Sequence, residues 1–138
     1  MSFREKSAWI SLISIFVVAT LWFLHVPWSL TPPPNPPLMH MLLVFIGALL
    51  AIEIVAHVVI ALHSPKDART PKDERERLID IKAVRIAYYV FVVGVFAAVL
   101  STHHGANQFA VGYGILLAFV IAQLTNFAAR IVYYRRGV

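Results

Sequence analysis

The sequence contains no cysteine and little charge: Lys, Arg, Asp and Glu make up only 14% of its 138 residues. The first absence excludes disulfides, thiolate metal sites and cysteine nucleophiles. The second sets the chain apart from soluble domains, where about a quarter of residues are charged. With 59% hydrophobic residues it points to the membrane class. Catalytic signatures are missing too. There is no G-x-S-x-G, Walker A, HExxH or glycine-rich nucleotide fingerprint, so neither an enzyme nor a cofactor is expected. A net charge of +5 would suit nucleic acid, but the basic residues flank apolar segments. That arrangement fits topology signals and acidic lipid headgroups, and no nucleic-acid partner is expected.

What is present is four long apolar runs. The first, residues 7–26, follows Arg4 and Lys6 as in a signal peptide. It is too long for an h-region and lacks an A-x-A cleavage site, so a retained anchor and first span is expected. This span carries no acid, and Trp9, Trp22 and Trp28 fall near its ends, where interfacial aromatics belong. Five prolines between residues 32 and 37 then predict a stiff, uncharged connector. The second span, Leu38 to His63, stops at Ser64-Pro65. Beyond it, Thr70-Pro71 followed by Asp73 and Glu74 reads as a cap, a first-turn proline and acids at the positive end of a dipole. The pattern predicts a helix from about residue 71 that runs unbroken into a third span at 83–101, with Leu78, Ile79 and Ile81 against the membrane surface or other helices. A short turn leads to the fourth span, 109–134.

Orientation follows from the twelve Lys and Arg. Arg4 and Lys6 precede the first span, seven lie from Lys66 to Arg85, and Arg130, Arg135 and Arg136 close the fourth. The two remaining loops have none, so both termini and the polar loop belong in the cytoplasm. The expected fold class is all-α, an integral membrane four-helix up-down-up-down bundle comprising a single transmembrane domain, 1–138. Small residues suggest where the helices approach: Gly114, Ala118, Ala122, Asn126 and Arg130 at i+4 steps on the fourth span, Gly94 and Ala98 on the third, Gly47 and Ala51 on the second.

Two constellations are candidates for chemistry. Glu53 and His57 share one face inside the second span, and a carboxylate at that depth costs on the order of 3 kcal/mol unless it faces protein or water. By helical rise, Gln123, Asn126 and Arg130 reach a comparable depth, and Arg85 enters from the same side. These six form an expected intramembrane polar cluster, either a structural network with Glu53 protonated or paired to Arg130, or a proton or ion site. The second set, His25, His40, His103 and His104, falls at the opposite face and has the chemistry to bind a metal or haem, although nothing in the sequence fixes its geometry.

Asp73, Glu74, Arg75, Glu76, Leu78, Ile79, Lys82, Ala83, Arg85, Ile86, Tyr88 and Tyr89 form a D-E-R-E-x-L-I-x-x-K-A-x-R-I-x-Y-Y pattern entering a span. This segment resembles a group of small bacterial membrane proteins, the domain-of-unknown-function 2178-like group. The resemblance implies four spans in the bacterial inner membrane and brings no activity with it. The pattern does not include the proline stretch or the Glu53/His57 pair. A non-enzymatic interaction or accessory protein is the expected function. Its partners would be the bilayer, anionic headgroups at the cytoplasmic face, and a second copy or a cytoplasmic protein bound through residues 64–82. The alternatives are a proton- or ion-coupled small transporter or channel subunit centred on Glu53, and a haem- or metal-binding protein using the outer-face histidines.

Overall fold

The computed structural model describes residues 3–25, 38–63, 73–106 and 108–136. They form four α-helices, α1 (Phe3–His25), α2 (Leu38–His63), α3 (Glu74–Leu100) and α4 (Gln108–Arg136), with a 3-10 turn at Ser101–His104. All four helices are long and apolar enough to cross a membrane. The proline stretch, Trp28 and segment 64–72 lie outside the described residues.

The start of α3 differs from the expectation of a helix from about residue 71. Of the two acids assigned to its first turn, Asp73 is itself the cap and Glu74 the first helical residue. Asp73, in extended backbone conformation, accepts the Glu74 N–H at 2.7 Å, and Glu76 reaches back to the Asp73 N–H at 3.4 Å, completing a capping box. At the other end of α3, Gly105 adopts φ 85°, a left-handed conformation that costs glycine little, and its N–H donates to Thr102 O at 3.0 Å.

Helix α4 is the centre of the packing. It lies against α3 and α1, while α2 packs chiefly on α1. Residue pairing makes neighbours antiparallel. Along α3–α4, Gly94 meets Ala118 and Ala98 meets Gly114, and a Cβ added at Gly94 would fall 2.5 Å from the Ala118 Cβ. The small-residue stripes of these two helices therefore mark a real close approach. On α2 the expectation fails: nothing lies within 4 Å of where a Gly47 Cβ would be, and Ala51 is exposed. The reason is Phe45, the one buried side chain of α2 among those described. It turns toward α1, and at 100° per residue Gly47 then lies on the far side of the helix.

Phe45 joins Ile15, Ala19 and Val120 in the buried apolar cluster. Its ring stands 5.0 Å from that of Trp22 at 49°. Trp22, expected as an interfacial anchor, is instead packed between helices, with its indole N–H buried. Of the α3 aliphatics near the capped end, Ile79 is buried while Leu78 and Ile81 are exposed.

Candidate functional site

Ionic contacts gather at the end of the molecule formed by the N-termini of α1 and α3 and the C-termini of α2 and α4. Arg4 Nε donates to Glu76 Oε2 at 2.7 Å, so the residue that caps α3 also ties it to α1. Arg135 Nε donates to Glu5 Oε1 at 3.2 Å and its guanidinium lies 5.5 Å from the centre of the Trp9 ring. Arg130 Nη1 stands 3.5 Å from Asp80 Oδ1, with its guanidinium stacked 5.3 Å over Phe127. The first span was expected to carry no acid. Because α1 begins at Phe3, it includes Glu5, which is buried.

Beneath these pairs lies a polar cavity of about 280 Å³, lined among others by Ser7, Ser11, Glu53, His57, Asp80, Arg130 and Tyr134. Ser11 Oγ donates to Glu53 Oε2 at 2.8 Å. His57 Nδ1 lies 2.8 Å from the Glu53 main-chain oxygen and 3.4 Å from Glu53 Oε2. A carbonyl oxygen can only accept, so Nδ1 carries a proton. In the neutral ring Nε2 then accepts from the Ser7 hydroxyl, 2.9 Å away. Two serines one turn apart on α1 thus meet two ionisable groups one turn apart on α2. Glu53 Oε1, Arg130 Nε and Asn126 Oδ1 are buried without a hydrogen-bond partner among the described residues. A cavity this size lined by an unsatisfied acceptor and an unsatisfied donor can hold several waters.

Of the six residues expected to cluster, three line this cavity: Glu53, His57 and Arg130. Glu53 and Arg130 are not paired, because Asp80 takes the guanidinium and Ser11 the carboxylate. Asn126 is half-buried one turn before Arg130, Gln123 is half-buried outside the cavity lining, and Arg85 is exposed. The residues that sequence reasoning missed are Ser7, Ser11 and Asp80. A signal existed for Asp80: it sits on the stripe Glu76, Asp80, Ala83, Ala87 that extends the small-residue face of α3 back to its cap. The two serines carry only their i, i+4 spacing, which is too common to single them out. Of the opposite-face histidines, His40, His103 and His104 are exposed, and the His25 side chain lies outside the described residues. Among the described residues no group of three or more His, Cys, Asp or Glu is placed to hold a metal ion.

Four apolar helices closed at one end by ion pairs define an all-helical membrane protein. The chain belongs to the DUF2178 family, described as a predicted membrane protein, whose model matches residues 5–137. The resemblance carried by residues 73–89 thus extends over nearly the whole chain. No curated protein and no solved structure matches the chain.

Proposed function

We propose that the protein is a non-enzymatic bacterial inner-membrane protein that works by interaction, an up-down-up-down four-helix bundle with both termini and residues 64–82 in the cytoplasm. The observation that carries this reading is how α3 uses its charge. Arg4, Arg130 and Arg135 are engaged by acids on other helices. By contrast Arg75, Arg77 and Arg85 are exposed, and among the described residues they have no side-chain partner. Exposed Leu78 and Ile81 lie between them. A cationic surface interrupted by aliphatic groups at the end of a span suits acidic headgroups, with residues 64–82 extending it toward a cytoplasmic protein or a second copy. The Lys and Arg asymmetry of the loops supports the orientation.

The natural absence of cysteine makes the test direct. Arg75→Cys and Thr102→Cys each introduce one reporter for a membrane-impermeant thiol reagent. Arg75→Cys should label only from the cytoplasmic side and Thr102→Cys only from the other. The reverse pattern sinks the orientation, and with it the cytoplasmic partner.

The polar cavity favours a second reading, a proton- or ion-coupled role centred on Glu53. Its support is Glu53 Oε1, buried without a hydrogen-bond partner among the described residues, in a space of about 280 Å³. In liposomes this reading expects a proton flux that Glu53→Gln abolishes. No flux from the unaltered protein removes it.

A further inference from the structure

With Glu53 ionised and the His57 ring neutral, the polar cavity between the four helices is one positive charge short. Arg4, Arg130 and Arg135 are each met by an acid on another helix: Glu76, Asp80 and Glu5. Glu53 has no such counterpart. Among the described residues its side-chain partners are the Ser11 hydroxyl and the His57 ring, and both reach the same oxygen, Oε2. The ring is itself committed, through Nδ1 to the Glu53 main-chain oxygen and through Nε2 to Ser7. That leaves Glu53 Oε1 buried with no donor among the described residues. A carboxylate oxygen in such a place calls for a donor that also carries positive charge.

A proton meets this need only in part. On Oε1 it cancels the charge but turns an unsatisfied acceptor into an unsatisfied donor, and it fills none of the 280 Å³. A metal ion fits worse. Asp80 is taken by Arg130, and among the described residues no group of three or more His, Cys, Asp or Glu is placed to hold one. The volume speaks for a larger cation. An apolar cavity of about 150 Å³ accepts benzene, so 280 Å³ accommodates a molecule of about ten non-hydrogen atoms. Phe3 and Tyr134 line the same space, and aromatic rings attract a cation that lies over their faces. Phe3 and Arg4 open α1, so the cavity reaches the end of the bundle.

We infer that this cavity binds one small organic cation, a primary ammonium compound, whose N–H donates to Glu53 Oε1 and whose carbon chain lies against Phe3 and Tyr134. Arg130 Nε is also buried without a partner among the described residues, but Asp80 balances its charge, so it asks only for a neutral acceptor such as water. The inference rests on the reading that Glu53 centres an ion site. It goes beyond that reading by naming the class of ion.

The experiment uses the full-length protein in a neutral detergent. The probe is n-butylammonium chloride, exchanged mole for mole for sodium chloride so that screening stays constant. A ligand that binds only the folded state raises the unfolding midpoint. The midpoint should rise and saturate with n-butylammonium, whereas 1-butanol, of the same size without the charge, should give no saturable rise. Glu53→Gln should weaken the apparent affinity by about tenfold or more, as expected for the loss of a hydrogen bond to a charged group. Glu5→Gln removes the same charge at the same end of the bundle but outside the cavity lining, and should leave the affinity unchanged. No rise with n-butylammonium overturns the site, as does an equal rise with 1-butanol, which needs no carboxylate. A loss in Glu5→Gln as large as that in Glu53→Gln also overturns it, since that marks a diffuse negative field. The comparison of the two probes is made on the unaltered protein, so it decides the matter even where Glu53→Gln does not fold. In liposomes, a proton flux abolished by Glu53→Gln in a protein whose midpoint ignores n-butylammonium removes this inference and leaves the ion-coupled reading. A midpoint that responds in a protein with no flux does the reverse.

Discussion

The α3–α4 and α1–α2 contacts both join antiparallel helices, yet they are built on different physics. Away from the Asp80–Arg130 and Lys82–Tyr133 contacts toward its capped end, the first rests on small residues. Gly94 opposite Ala118 and Gly114 opposite Ala98 let the backbones approach until a single added methyl would collide. Within a bilayer, where burying an apolar surface away from lipid gains little, this closeness maximises dispersion contacts. The second contact relies on a few specific groups. Ser11 to Glu53 and Ser7 to His57 hold one end, and the Trp22–Phe45 ring pair holds the other. The rest of α2 is largely exposed apolar surface, suited to lipid. One interface is specified by what is missing from the side chains, the other by what a few of them carry.

If this contrast is correct, damage should be ranked by it. The largest effect belongs to Gly94→Leu, which forces α3 from α4. It should cost about 3 kcal/mol or prevent folding, measured by unfolding in mixed detergent micelles. Wild-type stability in that variant would mean the close approach is not what holds the pair. Ser11→Ala comes next. It removes the donor to Glu53 Oε2 when Oε1 already has none, and should cost about 2 kcal/mol. In a Glu53→Leu background the same change should cost almost nothing, since the group left unsatisfied is gone; equal costs in both backgrounds would refute the pairing.

A smaller effect is expected for Glu5→Gln. Its partner Arg135 is 61% exposed, so the ion pair is worth about 1 kcal/mol or less, and that difference should shrink further in high salt. Gly47→Ala should be smallest. With open space around the added methyl, it should be neutral or stabilising by about 0.5 kcal/mol. A loss comparable to that of Gly94→Leu would show that α2 is packed through this face after all.

The same contrast explains which parts of the site were legible. Small-residue stripes on α3 and α4 are written at fixed i+4 spacing, so their meeting could be read from the chain. Glu53 stood out because a carboxylate among apolar residues has no ordinary explanation. Its partner did not, since a serine in a transmembrane helix raises no alarm and Ser11 is one of several. Arg130 was one candidate partner of Glu53 on depth alone, but depth does not distinguish azimuth. Asp80 on the adjacent face of α3 takes the guanidinium instead. Trp22 was misread for a related reason: position along a helix suggested an interface, while its direction around the helix put it against Phe45.

The sequence by itself determined that four helices form and are apolar enough to cross a membrane, because hydropathy and length are properties of each segment alone. The pattern from Asp73 to Tyr89, being local, also pointed to the family that the match over residues 5–137 shows. The tertiary structure alone decided that Glu53 accepts from Ser11 while Arg130 pairs with Asp80, that Gly47 is idle while Gly94 is not, and that α4 is the hub. Those outcomes depend on the rotation of each helix about its own axis. Rotation is set by which side chains of distant segments fit together, and no single segment encodes it.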